Sequence, residues 1–264
     1  MLKDIQGSED NRRIELDKAG IKDLHYPIAV LDKVNRVQHT AAKVELYVNL
    51  PKEFKGTHMS RFVDEFNAHA KKISMREYLN MLEAIRLRLD ATTAYGALRF
   101  PYFIEKAAPV SKQKAVMNYE CEFSGRVSEQ DKHFTVVVKV PVQTLCPCSK
   151  EISKFGAHNQ RAEVLVRLEI GSFFWIEDLI ELVEEVASSP LYSLLKREDE
   201  KFVTEHAYSN PKFVEDTVRD ICLSLPKLGD FPFCEVEVES FESIHNHNAF
   251  ASATGVCKDG RFVQ

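Results

Sequence analysis

Apolar and polar residues alternate over much of the chain. Ala42, Val44, Leu46 and Val48 interleave with Lys43, Glu45, Tyr47 and Asn49, the period-two signature of a half-buried strand. A shorter apolar run, Tyr26–Leu31, precedes it. Further strands are predicted over 95–105, 114–127, 132–142, 160–170, 233–241 and 247–256, and in 160–170 the alternation returns, with Ala162, Val164, Val166 and Leu168 on one face. Helices are predicted near 59–70 and 74–89, where Ser74 can cap the second with Glu77 as capping-box partner. A third helix is predicted over 176–187 from apolar residues at 176, 179, 180 and 183. A fourth opens at Asn210-Pro211, with Asn210 as N-cap and Pro211 at the first helical position.

The order is strand-strand-helix-helix-strand-strand, twice over, with the halves meeting near Glu129–Lys132. This predicts an α+β fold of two ββααββ modules, residues 25–130 and 131–264, with antiparallel sheets covered by helices on one face. Residues 1–24 are charged and aperiodic and read as a leader, partly ordered on a neighbouring subunit. Open sheet edges in such modules favour edge pairing, so a homo-oligomer is expected.

Composition narrows the partners. Of 264 residues, 44% are apolar and 28% charged, as in an ordinary globular protein. A net charge of −5 gives no reason to expect nucleic acid, though a local basic pocket for a phosphorylated small molecule is compatible with it. No apolar run approaches the ~20 residues that span a bilayer, so no membrane partner is expected. The polar start lacks a signal-peptide core, which predicts a cytoplasmic protein. Six cysteines are then free thiols or metal ligands, with Cys121, Cys222 and Cys234 packed in apolar segments.

The chemistry concentrates in Thr144–Ser153 and Gly156–Arg161, behind the apolar run Phe134–Val140. Cys146 and Cys148 flank Pro147, and His158 follows in a polar loop. Thiolate and imidazole suit a borderline-soft metal or an activated nucleophile. No second cysteine pair exists to close a structural zinc site, whereas a catalytic metal needs only three protein ligands. His245 and His247, two apart, point the same way if extended and suit proton transfer. In the charged run Lys196–His206, Glu200 or Glu205 could complete a metal site. Lys55–Phe62 places glycine, hydroxyls and cations before a helix, as anion binding requires. In Asn210–Asp216, Glu215 is either a helix-dipole partner or an acceptor for two parallel N–H groups of a guanine edge.

Together, Lys55–Arg61, Cys146–Ser153, Gly156–Arg161, Asn210–Asp216 and Ile244–Ala249 resemble the GTP cyclohydrolase type IB family, in the family's order and over most of the chain. The resemblance implies a tunnelling fold, typically a homotetramer with active sites at subunit interfaces. It implies conversion of GTP and water to 7,8-dihydroneopterin triphosphate and formate, the first step toward folate-type pterins. By the same resemblance Cys146, His158 and Glu200 hold a divalent metal (zinc, manganese or iron), Glu215 anchors guanine, and His245 and His247 lie by the reacting centre. Lys55, His58, Arg61, Lys150 and Arg161 are candidates to hold the triphosphate. Three other readings compete: an archaeal-type cyclohydrolase releasing a cyclic phosphate, a nitrile reductase of the same fold with a catalytic cysteine, and a non-catalytic metal-binding protein.

Overall fold

A strand whose odd and even residues differ in polarity buries one face and wets the other. The computed structural model, which describes Gln6 and residues 8–264, follows this rule. The elements in chain order are β1 (Leu16–Asp32), β2 (Arg36–Leu50), α1 (Met59–His69), α2 (Met75–Arg88), β3 (Thr93–Ala107), β4 (Lys114–Ser128), β5 (Lys132–Leu145), α3 (Pro147–Ile152), β6 (Asn159–Glu169), α4 (Ile176–Val186), β7 (Ser189–Pro190), α5 (Arg197–Ser209), α6 (Val214–Ser224), β8 (Phe231–Ser240), β9 (Ala249–Lys258) and β10 (Arg261–Val263). Among the described residues the ten strands form one sheet in the order β1-β2-β3-β4-β5-β6-β8-β9-β10, with the two-residue β7 beside β5. The pairings β1–β2, β2–β3, β5–β7, β6–β8, β8–β9 and β9–β10 are antiparallel.

Two compact units share the chain, one taking residues up to Pro101 and Glu122–Val136, the other Tyr102–Cys121 and Val137–Gln264. In the first, α1 packs on α2. Phe62, Phe66, Met81, Leu82 and Ile85 of these helices are fully buried, as are Val44 and Leu46 of β2. Ser74 caps α2 by accepting from the Glu77 N–H at 3.3 Å. The buried Tyr78 ring lies against Phe134, with centroids 5.1 Å apart. Two strand glycines make room for α2. A Cβ at Gly96 would fall 2.8 Å from the Tyr78 hydroxyl and 2.9 Å from Leu82, and one at Gly125 would fall 2.6 Å from the His133 carbonyl oxygen.

In the second unit, β6 turns Ala162, Val164, Val166 and Leu168 inward, pairing Val164 with Val238 and Val166 with Val236 of β8. Helix α6 covers β8 and β9 through Val218, Ile221 and Cys222, and α4 packs on α6. The start of α5 is fixed by Asp199, which is fully buried. Its carboxylate accepts from the backbone N–H groups of Val110 (2.8 Å), Ser111 (2.9 Å) and Lys196 (2.8 Å) and from the Ser111 hydroxyl (2.6 Å). One side chain thus caps its own helix and ties it to the β3–β4 turn.

This architecture corrects the expectation of two ββααββ modules. The first half has that order, but the second runs through three long helices, the short α3, and the added strands β7 and β10. The charged run Lys196–His206 lies in α5, whose surface is mostly exposed and whose only buried residues are Asp199 and Ala207. A helix with so little apolar surface carries almost no period-3.6 signal. Asn210 ends α5 rather than opening a helix, and its side chain donates to the Ala187 carbonyl at 2.8 Å. Helix α6 begins at Val214, so Pro211 lies before it. Residues 16–24 of the expected leader are strand, paired with β2. Register shifts between Leu16 and Ala19 and between Ile21 and Leu24 break the period-two pattern there, as bulges do.

Two outcomes test this packing. Gly96→Ala or Gly125→Ala should lower unfolding stability by about 1–3 kcal/mol through overpacking, read as a shift in the urea midpoint; an unchanged midpoint would refute the close approach. For Asp199, burial raises the carboxyl pKa, but the hydrogen bonds from Ser111, Lys196 and Val110 outweigh it and hold the pKa well below the ordinary aspartate value. A depressed pKa contributes stability that is complete above about pH 4 and lost as pH falls through the folded-state value. Asp199→Asn should therefore lower Tm by about 5 °C at neutral pH, and the gap to the unaltered protein should narrow below about pH 4. A gap independent of pH would contradict an ionised Asp199.

Candidate active site

The polar corner at the end of β5 is built by local hydrogen bonds. Pro147 occupies the first position of α3, where a missing N–H leaves no acceptor unsatisfied. Cys146 is the N-cap, its sulfur accepting from the Ser149 N–H at 3.4 Å. The Ser149 hydroxyl donates to the Cys146 carbonyl (3.3 Å) and accepts from the His158 N–H (3.1 Å). The Cys146 N–H in turn donates to the His158 carbonyl at 3.1 Å. The loop from Cys146 to His158 thus closes on itself, reversing through Gly156 at φ 106°. This backbone pair brings thiol and imidazole, distant in sequence, to adjacent strand ends.

A partly buried polar network lies behind them. Gln160 on β6 faces His158 Nδ1 through Oε1 at 3.0 Å and donates through Nε2 to Thr144 Oγ1 (3.1 Å) and Glu242 Oε1 (3.3 Å). Ser240 Oγ donates to the same Glu242 oxygen at 2.9 Å and lies 3.1 Å from Thr144 Oγ1. Glu242 Oε2 is 3.8 Å from His158 Nδ1. Neither Gln160 nor Glu242 was among the expected site residues. A signal existed: Thr144 and Cys146, His158 and Gln160, and Ser240 and Glu242 continue the inward-facing rows of β5, β6 and β8 at period two.

These six residues line a cavity of about 420 Å³, together with Glu215, His245 and His247. Glu215 is the second residue of α6, whose approach is pinned by the Lys212 N–H donating to the Leu145 carbonyl at 3.1 Å. Asp216 accepts from the Phe213 N–H at 3.2 Å, so Asp216 caps the helix and Glu215 is left facing the cavity. The rings of His245 and His247 stack with centroids 5.1 Å apart and planes at 21°. They face the same way as expected, but from a bend rather than a strand, since β9 starts at Ala249.

Other expected residues lie elsewhere. Cys148 is exposed and does not line the cavity. Lys150 Nζ donates to the Tyr208 carbonyl at 2.6 Å and sits 4.6 Å from that ring's centroid. Arg161 lines a separate cavity of about 440 Å³ with Lys139 and Glu163. Lys55, His58 and Arg61 belong to the first unit, at the approach to α1 and in its first turn. Glu200, in the first turn of α5, is outside the cavity lining. Among the described residues no three His, Cys, Asp or Glu side chains are grouped to hold a metal, so the expected set of Cys146, His158 and Glu200 is not assembled within the chain. Cys146 and His158 do line one cavity, with a sulfur and a nitrogen donor of the kind zinc or iron accepts. The remaining cysteines are buried, and burial raises the thiol pKa of Cys121, Cys234 and Cys222, the last to about 11. Cys146 is therefore the thiol available for chemistry in the cavity.

Comparison with known proteins agrees with the motif pattern. Residues 2–251 match the family model described as type I GTP cyclohydrolase folE2. The chain is similar to GTP cyclohydrolase FolE2 of Geotalea uraniireducens (strain Rf4), 52% identical over 251 residues covering 95% of this chain and 92% of the relative. It is also similar to GTP cyclohydrolase FolE2 of Syntrophus aciditrophicus (strain SB), 53% identical over 94% of this chain and 97% of that protein. Among solved structures, uricase from Arthrobacter globiformis shares the fold with TM-score 0.53 at 8% identity, covering 94% of this chain and 96% of that one. Urate oxidase from Bacillus subtilis 168 aligns with TM-score 0.51 at 8% identity over 90% of this chain and 98% of that one. The family model takes in every residue that lines the cavity, and the relatives match over nearly the full chain: the chain belongs to the type I GTP cyclohydrolase FolE2 family.

Proposed function

We propose that this protein converts GTP and water to 7,8-dihydroneopterin triphosphate and formate. One observation supports it above the others: Cys146, His158, Glu215, His245 and His247, drawn from four separated segments, line one cavity. Two waters enter as C8 of guanine is hydrated and excised as formate, and one leaves when the rearranged ribose closes the pterin ring. Glu215, projecting from the first turn of α6, accepts the guanine N1–H and 2-amino N–H in parallel, which fixes the purine edge. His245 and His247 relay protons for ring opening and reclosure. The triphosphate does not react, and its binding energy orients the base. Lys55, His58, Arg61, Lys150 and Arg161 remain the proposed cations for it, and Lys150 must first leave Tyr208.

Cys146 and His158 are the proposed ligands of a divalent ion: zinc, manganese or iron. Such an ion, when bound, supplies hydroxide at neutral pH by lowering the pKa of water to ~7. Glu200 is the proposed third ligand on family resemblance, and its place outside the cavity lining means that α5 must be brought to the cavity to deliver it. A neighbouring subunit would do this. Phe155 (97% exposed), Ile152 (83%) and Ile244 (63%) present apolar surface for such an assembly, proposed as a cytoplasmic homotetramer.

Incubation of metal-reconstituted protein with GTP should yield formate and, after oxidation, a fluorescent neopterin, with activity abolished by a chelator. No product with zinc, manganese or ferrous iron would sink the proposal, and chelator-resistant turnover would remove the metal from it. Glu215→Ala should cut kcat/KM about 100-fold through lost charge-assisted hydrogen bonds, with its circular dichroism unchanged. Unaltered kcat/KM would remove the guanine-anchor role.

A further inference from the structure

The network behind His158 calls for a proton on Nδ1 in the neutral and the charged ring alike, and that has a chemical consequence for the neutral ring. A carboxylate only accepts hydrogen bonds. Glu242 Oε1 therefore takes a proton from Ser240 Oγ (2.9 Å) and another from Gln160 Nε2 (3.3 Å). Ser240, its proton committed to Glu242, must accept from Thr144 Oγ1 across 3.1 Å. Thr144, its proton committed to Ser240, accepts the second Gln160 Nε2 proton at 3.1 Å. Both amide protons are then spent. Gln160 Oε1 is left as the acceptor facing Ser243 Oγ (3.4 Å) and His158 Nδ1 (3.0 Å). An acceptor at that distance requires a proton on Nδ1. The opposite rotamer of the amide would set its oxygen against the Glu242 carboxylate with no proton between them.

We propose that Gln160 is a positioning residue whose carboxamide, oriented by Thr144 and Glu242, holds neutral His158 as the Nδ1–H tautomer and so presents an unprotonated Nε2 to the cavity. The other tautomer would put its lone pair against Gln160 Oε1, bury an acceptor against an acceptor, and leave Nε2 unable to bind a cation or take a proton. Thr144 and Ser240 are themselves buried, at 2% and 1% exposure, so water cannot readily replace their bonds. Because the chain of bonds starts from a carboxylate, its direction is set by charge rather than by chance rotation of hydroxyls. The inference rests on the proposed use of His158 as a ligand, but the tautomer is a property of the protein before any substrate or metal is added. An outer partner that fixes a histidine ligand in this way is generally worth 10–100-fold in metal affinity.

The test is nitrogen NMR of the histidine rings in the metal-free protein, with His158 identified by its absence in His158→Asn. The expected spectrum has His158 protonated at Nδ1 and bare at Nε2. Gln160→Met should lose this preference and weaken zinc binding about 10–100-fold. Thr144→Val, which frees one amide proton of Gln160, provides the same readout with a smaller loss if Gln160→Met does not fold. An Nε2–H tautomer in the unaltered protein would overturn the proposal, as would a Gln160→Met protein with unchanged tautomer and zinc affinity. A correct tautomer without GTP turnover would remove the cyclohydrolase reading alone, whereas turnover with the wrong tautomer would remove only this inference.

Discussion

The site depends on the hydrogen bond from the Cys146 N–H to the His158 carbonyl, 3.1 Å long. It joins the end of β5 to the start of β6, and with it a thiol and an imidazole separated by a loop that would otherwise carry them apart. The bond is secured from both sides. Ser149 bridges Cys146 and His158 within the loop, and Lys212 binds Leu145 just before Cys146 and so brings the start of α6 to the same place. Backbone bonds of this kind are independent of side-chain protonation, so thiol and imidazole stay adjacent whichever ligands they meet.

Beyond that bond, the cavity is the continuation of the core by other means. Val138, Val140 and Val142 on β5, Ala162 and Val164 on β6, and Val236 and Val238 on β8 fill the inward rows with apolar side chains. One step further along each row the side chains become polar: Thr144 and Cys146, Gln160 and His158, Ser240 and Glu242. Sheet geometry that packs the core therefore also aims the functional groups, and the rigidity of three paired strands is passed to them. Binding groups set on strands keep their positions better than groups set on loops. His245 and His247, which stand on a bend, are held instead by ring stacking.

Much of this was legible in the chain. Alternation located the inward rows of β2 and β6, Ser74 and Glu77 marked the start of α2, and Cys146, His158, Glu215, His245 and His247 do line one cavity. What stayed hidden has physical causes. Bulges in β1 destroy the period on which strand recognition relies. Helix α5 is held by a buried carboxylate and a single alanine rather than by an apolar stripe, so its charged sequence resembles a solvated surface. Asn210-Pro211 carries the chemistry of a helix start, yet Asn210 spends its amide on Ala187 at the end of the preceding helix. Gln160 and Glu242 are ordinary polar residues in sequence, and only cross-strand register gives them partners.

In the proposed metal site the sulfur ligand is Cys146, not Cys148. Cys148 shares the motif but points out of the cavity from the exposed side of α3. Cobalt substitution measures this directly, because thiolate-to-cobalt charge transfer in the near ultraviolet scales with the number of bound sulfurs. A band of one-thiolate intensity is expected, surviving Cys148→Ser and disappearing in Cys146→Ser. A two-thiolate band, or one that follows Cys148, would contradict it.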